Sequence, residues 1–266
     1  MKRYGLRDDQ FARIEQLLPG RPGYVGRNSE KGNRLFVEAV IEDLLKQAED
    51  FDAFDWRPQW LRAQYLLTQN RGKEARDCFE QVYFAMPGEL APRLAMGFAA
   101  EMANDLEQAL PYYDRVGRVD PGMITAHFGA ARCHARLGQL KEGVVALDRV
   151  PENHALHVPT QLAIGQLLLL YPDQLNIGLL KRAEAAMKVA LQQGGQAFQV
   201  AGRLFELALA SKATLGWPMQ ENFLDHAFDD AGLRAGAEEN YRKAAHEAIN
   251  DTERYNWIGH RAMIHG

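Results

Sequence analysis

Residues 60–93 read WLRAQYLLTQNRGKEARDCFEQVYFAMPGELAPR, residues 94–127 read LAMGFAAEMANDLEQALPYYDRVGRVDPGMITAH, and residues 128–150 read FGAARCHARLGQLKEGVVALDRV. Laid under one another, the three segments carry the same residue classes at an offset of 34. Ala63, Gly97 and Ala131 share one column, as do Ala75, Ala109 and Gly143; Phe79, Tyr113 and Leu147; and Val82, Val116 and Val150. Asn70, Asn104 and Gly138 form a further column, and Pro87 and Pro121 close the first two segments. This order has a direct physical reading. Each unit is two antiparallel helices. The small residues let the backbones approach where the helices cross, and the large residue fills the space beside them. Asn and Gly tolerate the left-handed backbone of the turn. Proline stops the second helix, because it lacks an N–H and clashes with the preceding turn.

A 34-residue period with small, small, aromatic, apolar and Pro residues in this order resembles the tetratricopeptide repeat. The resemblance implies an all-α fold, a right-handed helical solenoid of three such repeats over 56–150. After Pro151 the period fades in the sequence but helical apolar spacing persists. It predicts helices over Leu156 to Leu170, Leu175 to Leu191, Gln196 to Ala213, Ala231 to Ile249 and Asp251 to Ile264. A single helix pair cannot bury its own apolar face, so residues 151–266 are expected to extend and cap the stack.

Working outward from the repeats, the 266-residue chain is 47% hydrophobic and 25% charged, ordinary for a water-soluble protein. Its formal net charge of −4 argues against bulk electrostatic binding of nucleic acid or of an anionic membrane. The charge is uneven: residues 1–40 hold eight Lys and Arg against five Asp and Glu, and the remainder is acidic. Cys78 and Cys133 are the two cysteines. So sparse a pair fits a reducing compartment, and a cytoplasmic location is expected. The start of the chain shows no apolar signal-peptide core, and the longest apolar run, Leu167 to Tyr171, is far too short to cross a membrane.

Upstream of the repeats, Leu6 to Leu18 reads as a short amphipathic helix ended by Pro19-Gly20, and Arg21 to Asn28 as a loop. A second helix starts near Ser29, with Leu35, Phe36, Ala39 and Val40 as its apolar stripe. The stretch MKRYGLRDDQFARIEQLLPGRPGYVGRNSEKGNRLFVEAV, residues 1–40, resembles the N-terminus of insertion-sequence transposases of the DDE class. Nothing after Ile41 continues that pattern, so the carboxylates that would hold catalytic metal ions are not carried over. What the resemblance implies is a transposase fragment joined by gene fusion, without nuclease activity. Lys2, Arg3, Arg13, Arg27 and Arg34 would be its remaining DNA-contact surface. A DNA-associated fusion fragment is the alternative function, with nucleic acid disfavoured as a partner because so small a patch neutralises few phosphates. Residues 41–55 read as a linker, helical at first and then acidic through Phe51-Asp52-Ala53-Phe54-Asp55.

The longer part carries a second resemblance. Phe84-Ala85-Met86-Pro87-Gly88-Glu89-Leu90-Ala91-Pro92-Arg93-Leu94-Ala95, Tyr112-Tyr113-Asp114-Arg115-Val116 with Asp120-Pro121, and Ala146-Leu147-Asp148-Arg149-Val150-Pro151 are similar to the tetratricopeptide region of bacterial Ser/Thr protein kinase G. So are Gly232-Leu233-Arg234 and Glu253-Arg254. In that family the region follows a kinase domain and a rubredoxin-like iron site. Residues 1–266 show neither a Gly-rich loop with its Val-Ala-x-Lys strand, nor a His-Arg-Asp loop, nor Cys-x-x-Cys knuckles. The resemblance therefore implies a non-catalytic interaction scaffold with no cofactor. Its partner would be a protein or peptide, either a Ser/Thr kinase or that kinase's substrate, or a second copy of the chain as a homodimer.

In such repeats the first helices line a concave face. The residues expected there are Trp60, Leu94 and Phe128 at one position, Gln64, Phe98 and Arg132 one turn on, and Arg136 beyond them. An apolar groove with two Arg at one end suits an extended or helical peptide with an acidic end. The competing expectation is that the chain's own C-terminal helices fill it. The pairs His127/His134 and His154/His157 lack a third ligand at metal-binding spacing and read as structural. Asp225, Asp229, Asp230, Glu238 and Glu239 read as solvated helix-end charges. Tyr83, Phe84, Tyr112 and Tyr113 read as packing within and between repeats.

Overall fold

The structure, a computed structural model, describes residues 33–52, 54–218 and 221–264, and for residues 33–38, 261 and 263 the backbone alone. Residues 1–32, where most of the transposase resemblance and its expected DNA contacts fall, lie outside the described part. The described chain is helical almost throughout and forms two compact units, divided between Asp120 and Pro121.

The first unit begins with α1 (Asn33–Phe51), followed by the hairpins α2 (Arg57–Thr68) with α3 (Gly72–Ala85) and α4 (Leu90–Met102) with α5 (Leu106–Val119). Helix α1 runs without a break through residue 40, and most of the expected 41–55 linker is helix. It packs on α2, where the guanidinium of Arg62 donates to Glu49 at 2.9 Å and 3.0 Å. The columns of the repeat are core positions. Ala63, Ala75, Ala109, Phe79, Tyr113, Val82 and Val116 are all buried, and Ala63, Leu66, Ala75, Phe79, Met96 and Ala99 form one apolar cluster. A methyl group on Gly97 would stand 3.1 Å from the Tyr113 ring, so the small residue is what lets that ring lie against α4. The two hairpin turns share one conformation. Asn70 and Asn104 sit at φ 59° and 60°. Beyond them Arg71 N–H donates to Leu66 O and Asp105 N–H to Ala100 O, both at 2.9 Å. This is the Schellman closure, which satisfies the last carbonyls of the first helix.

The second unit opens with α6 (Ile124–Arg136) and α7 (Leu140–Asp148) in the same form: Gly138 is at φ 79°, Gln139 N–H donates to His134 O at 2.9 Å, and Ala131, Gly143, Leu147 and Val150 are buried. It continues with α8 (His157–Leu170), α9 (Ile177–Ala190), α10 (Gln196–Leu215), α11 (Asp230–Glu247) and α12 (Asp251–Met263). These match the five helices expected from apolar spacing to within a few residues at their ends. The period that fades in the sequence persists in space. Gly165 stands 34 after Ala131, and a methyl on it would meet Met187 Sδ of α9 at 2.9 Å. Gly202 on α10 occupies the same place against the Tyr241 ring of α11, at 2.5 Å. The second helices keep the spacing of Ala75, Phe79 and Val82 in Ala183, Met187 and Ala190, and again in Ala237, Tyr241 and Ala244, all buried. The turns have grown from three residues to six and 14, and the helices beside them have lengthened as well. The small residues of a pair are 12 apart in the first three hairpins, 18 apart from Gly165 to Ala183, and 35 apart from Gly202 to Ala237.

The longest turn builds its own small core. It holds the antiparallel pair β1 (Asn222–Phe223) and β2 (His226–Ala227), closed by Leu224 and Asp225 at positive φ, the geometry of a two-residue hairpin. Trp217 stacks on Phe228 at 4.5 Å, and Phe223 meets Phe205 of α10 edge-on at 5.0 Å. Leu224 N–H donates to the Glu184 carboxylate of α9 at 3.2 Å. The shorter turn after α8 is pinned by Gln174, whose Oε1 accepts from Leu140 N–H at 2.9 Å and whose Nε2 donates to Ala135 O at 3.1 Å.

Candidate protein-binding surfaces

The seven residues expected to face a groove divide between the units, and their settings differ. In the first unit Trp60 is partly buried. Its ring meets Phe79 edge-on at 5.0 Å and Trp56 at 6.4 Å, so it is part of the α2–α3 packing as well as of the helix face. Gln64 is exposed and Leu94 half-buried. Phe98 is 42% exposed, and one turn on, Met102 is 38% exposed. Leu94, Phe98 and Met102 are thus an i, i+4, i+8 apolar stripe along α4. In the second unit Phe128 is half-buried on α6, and Arg132 and Arg136 are exposed one and two turns further along the same helix. Both Arg also engage neighbouring groups.

Several exposed apolar side chains escape the sequence reading. Met102 is the 34-residue counterpart of Arg136, as Phe98 is of Arg132, so the columns that are charged in one repeat are apolar in the one before. Phe84, expected in the packing, is 72% exposed at the end of α3. The signal was present: its counterpart 34 residues on is Arg118, a column that cannot be core in both repeats. Of the other three aromatics, Tyr113 is fully buried and bonds Glu101 at 2.7 Å, while Tyr83 and Tyr112 are half-buried.

The titratable clusters are tied to structural tasks. His127 is buried with Nε2 at 3.1 Å from Pro121 O, His134 Nδ1 pairs with Gln139 Oε1 at 2.8 Å, and His154 Nδ1 accepts from Leu156 N–H. Among the described residues no three His, Cys, Asp or Glu side chains converge as a metal site would require. Asp229 caps α11 by accepting from Gly232 N–H at 2.7 Å. Asp230 pairs with Lys212, which holds its carboxyl below the ordinary range. Glu239 is held low in the same way, first by Lys243 at 2.7 Å. Burial pushes the Tyr241 phenol far above its ordinary range, so it stays neutral within α10–α11. Cys78 is likewise raised by burial, the opposite of an activated thiol.

Comparison with known proteins places this architecture. The family model described as protein kinase G tetratricopeptide repeat matches residues 35–264, and the chain belongs to that family. Its curated relatives include the serine/threonine-protein kinase PknG of Mycolicibacterium smegmatis, 28% identical over 221 residues, which cover 81% of this chain and 28% of the relative. PknG of Mycobacterium leprae is 27% identical over 209 residues, covering 76% of this chain and 27% of the relative. The chain therefore spans between a quarter and a third of the length of these relatives. Among solved structures, PilW, described as a widely conserved type IV pilus biogenesis factor, aligns with a TM-score of 0.52 at 14% identity, over 80% of this chain and 87% of PilW. The MamA RS-1 ArsTM double mutant aligns at 0.51 and 17% identity, over 72% of this chain and 93% of its own. At these identities the likeness concerns the fold alone. The family match begins inside α1, within residues 35–40 of the transposase-like stretch, so it reaches upstream of the repeats proper. No described helix is long and apolar enough to cross a membrane.

Proposed function

We propose that the chain is a non-catalytic scaffold that binds protein or peptide partners through the first helices of its hairpins. The observation that carries this is the presence, on a family of kinase-associated tetratricopeptide repeats, of solvent-facing apolar side chains at core-excluded columns: Phe98 and Met102 on α4, followed by Arg132 and Arg136 in the equivalent columns of α6. Lone exposed apolar residues are ordinary, but a helical stripe of them favours a partner helix or an extended peptide. Trp60, Gln64, Leu94 and Phe128 supply the flanks of these faces, and the two Arg favour a peptide with an acidic end. Given the relatives, the partner is a Ser/Thr kinase, one of its substrates, or a second copy of the chain, met in the cytoplasm.

The experiment is binding of the purified chain to a co-expressed Ser/Thr kinase of the same family, read by co-purification and isothermal titration. Phe98→Ala and Arg132→Ala are the informative variants, because both side chains are exposed and their loss leaves the core intact. Trp60→Ala is less suitable, since it also removes a contact to Phe79. A drop in affinity of about tenfold or more on Phe98→Ala is expected for an aromatic anchor. Unchanged binding in both variants would remove these faces from consideration.

A further inference from the structure

A second candidate surface lies where α11 meets α12. Trp257 of α12 stacks on Tyr241 of α11 at 5.7 Å with the rings 13° from parallel, and this contact fixes how the two helices meet. Beside it opens a cavity of about 410 Å³ lined by Tyr241, Arg242, Ala245, His246, Arg254 and Ile258. Pockets of a few hundred cubic ångströms are the size class that takes small ligands or a bulky side chain. The floor is apolar, and Ile258 remains 46% exposed. The rim is basic, with two guanidinium groups and an imidazole.

The charges around the cavity are unequal in commitment. Glu247 accepts from Gly195 N–H, and Glu253 accepts from Gln199 Nε2 at 3.0 Å, so both carboxylates are turned to α10 and its leading turn. Lys243 is paired with Glu239. Asp251 pairs with Arg254 at 3.2 Å, an exposed pair that solvent weakens. Arg242 is exposed and makes no ion pair or hydrogen bond with any described residue. An uncommitted guanidinium in the lining of a partly apolar cavity, with a second one and a histidine in the same lining, is complementary to carboxylates flanking an apolar side chain.

We propose that the α11–α12 cavity binds an acidic peptide of a partner protein, with one bulky apolar residue seated on Ala245 and Ile258 and its flanking carboxylates held by Arg242 and Arg254. This site is carried by other helices than the first-helix faces, which lie on α2, α4 and α6.

The test uses the full chain and a fluorescein-labelled, N-acetylated pentapeptide, Asp-Asp-Phe-Asp-Asp, followed by fluorescence anisotropy at low and at high salt. Saturable binding is expected, weakened about tenfold or more by Arg242→Glu and by raising the salt. Replacing the four Asp of the probe by Asn, or its Phe by Ala, should each weaken binding to a similar degree. Arg132→Ala should leave it unchanged, which separates this site from the first-helix faces. Arg254→Glu checks the second guanidinium, and circular dichroism of each variant confirms that α12 is retained. No saturable binding, equal binding of the Asn probe, or binding indifferent to Arg242→Glu would overturn the proposal.

Discussion

The hairpins α2–α3, α4–α5 and α6–α7 and the later hairpins α8–α9 and α10–α11 are packed by one rule and connected by different ones. In three of the five, a glycine on the first helix meets a large side chain on the second: Gly97 against Tyr113, Gly165 against Met187, Gly202 against Tyr241. In each, the second helix presents a small residue, a large one four positions on, and a small or branched one three further. The early turns are as short as a Schellman closure permits. The later ones hold a 3₁₀ turn in one case and an aromatic-cored β-hairpin in the other. The difference teaches that the 34-residue period belongs to the connection, whereas the packing belongs to the helices. Lengthening a surface turn costs little, since loop-closure entropy rises only about 0.6 kcal/mol per doubling of length. Enlarging a small residue at the tightest helix crossings, such as Gly202, costs more.

The strongest way to break the comparison is to remove the large residue on each side. Phe79→Ala and Tyr241→Ala should each lose about 3–5 kcal/mol, the usual cost of emptying a buried aromatic site, read by urea denaturation. Near-native stability of Tyr241→Ala would show that α10–α11 does not follow the rule of the early hairpins. Next in size is the small residue. Gly202→Ala places a methyl 2.5 Å from a buried ring, and a net loss of about 2 kcal/mol is expected after the helix-propensity gain. Gly97→Ala, at 3.1 Å, should come out near neutral, because that same gain of about 1 kcal/mol offsets the squeeze. Gln174→Ala tests the lengthened turn. It leaves Leu140 N–H and Ala135 O without this partner and should cost about 1–2 kcal/mol. The smallest expected effect is at the short turns. Asn104→Ala removes the short polar side chain that makes left-handed backbone tolerable for a residue with a β-carbon and should lose about 1 kcal/mol, while Asn104→Gly should be neutral or slightly stabilising.

The legibility of this fold follows the same division. Where the turns are short, the columns of identical class line up in the sequence, and the buried set of the first three hairpins is read from them directly. Helix ends were equally plain, since Pro87 and Pro121 follow α3 and α5 by two residues. The later hairpins were legible as helices by their apolar spacing, but not as pairs. Six extra residues between the paired small residues of one hairpin and 23 in the other, shared between longer turns and longer helices, displace the second helix from its column, and no linear offset recovers it. The β-hairpin is a further omission: its strands are two residues each, too short for alternation to show. For the candidate surface, the sequence placed Gln64, Phe98, Arg132 and Arg136 on exposed faces. It placed Trp60 on the face, and in the structure its ring also packs against Phe79. Phe84 lies on the surface and not in the packing, because its column holds Arg118 in the next repeat and cannot be core in both.

By itself the amino-acid sequence determined the helices, their turns up to Val150, and the identity of the repeat, because those depend on contacts between residues close in the chain. Only the tertiary structure decided that Gly165 meets Met187, that Gly202 meets Tyr241, and that Arg242 lines a partly apolar cavity without an ion pair among the described residues. Those contacts join residues separated by turns of arbitrary length, and packing selects them by shape rather than by distance along the chain.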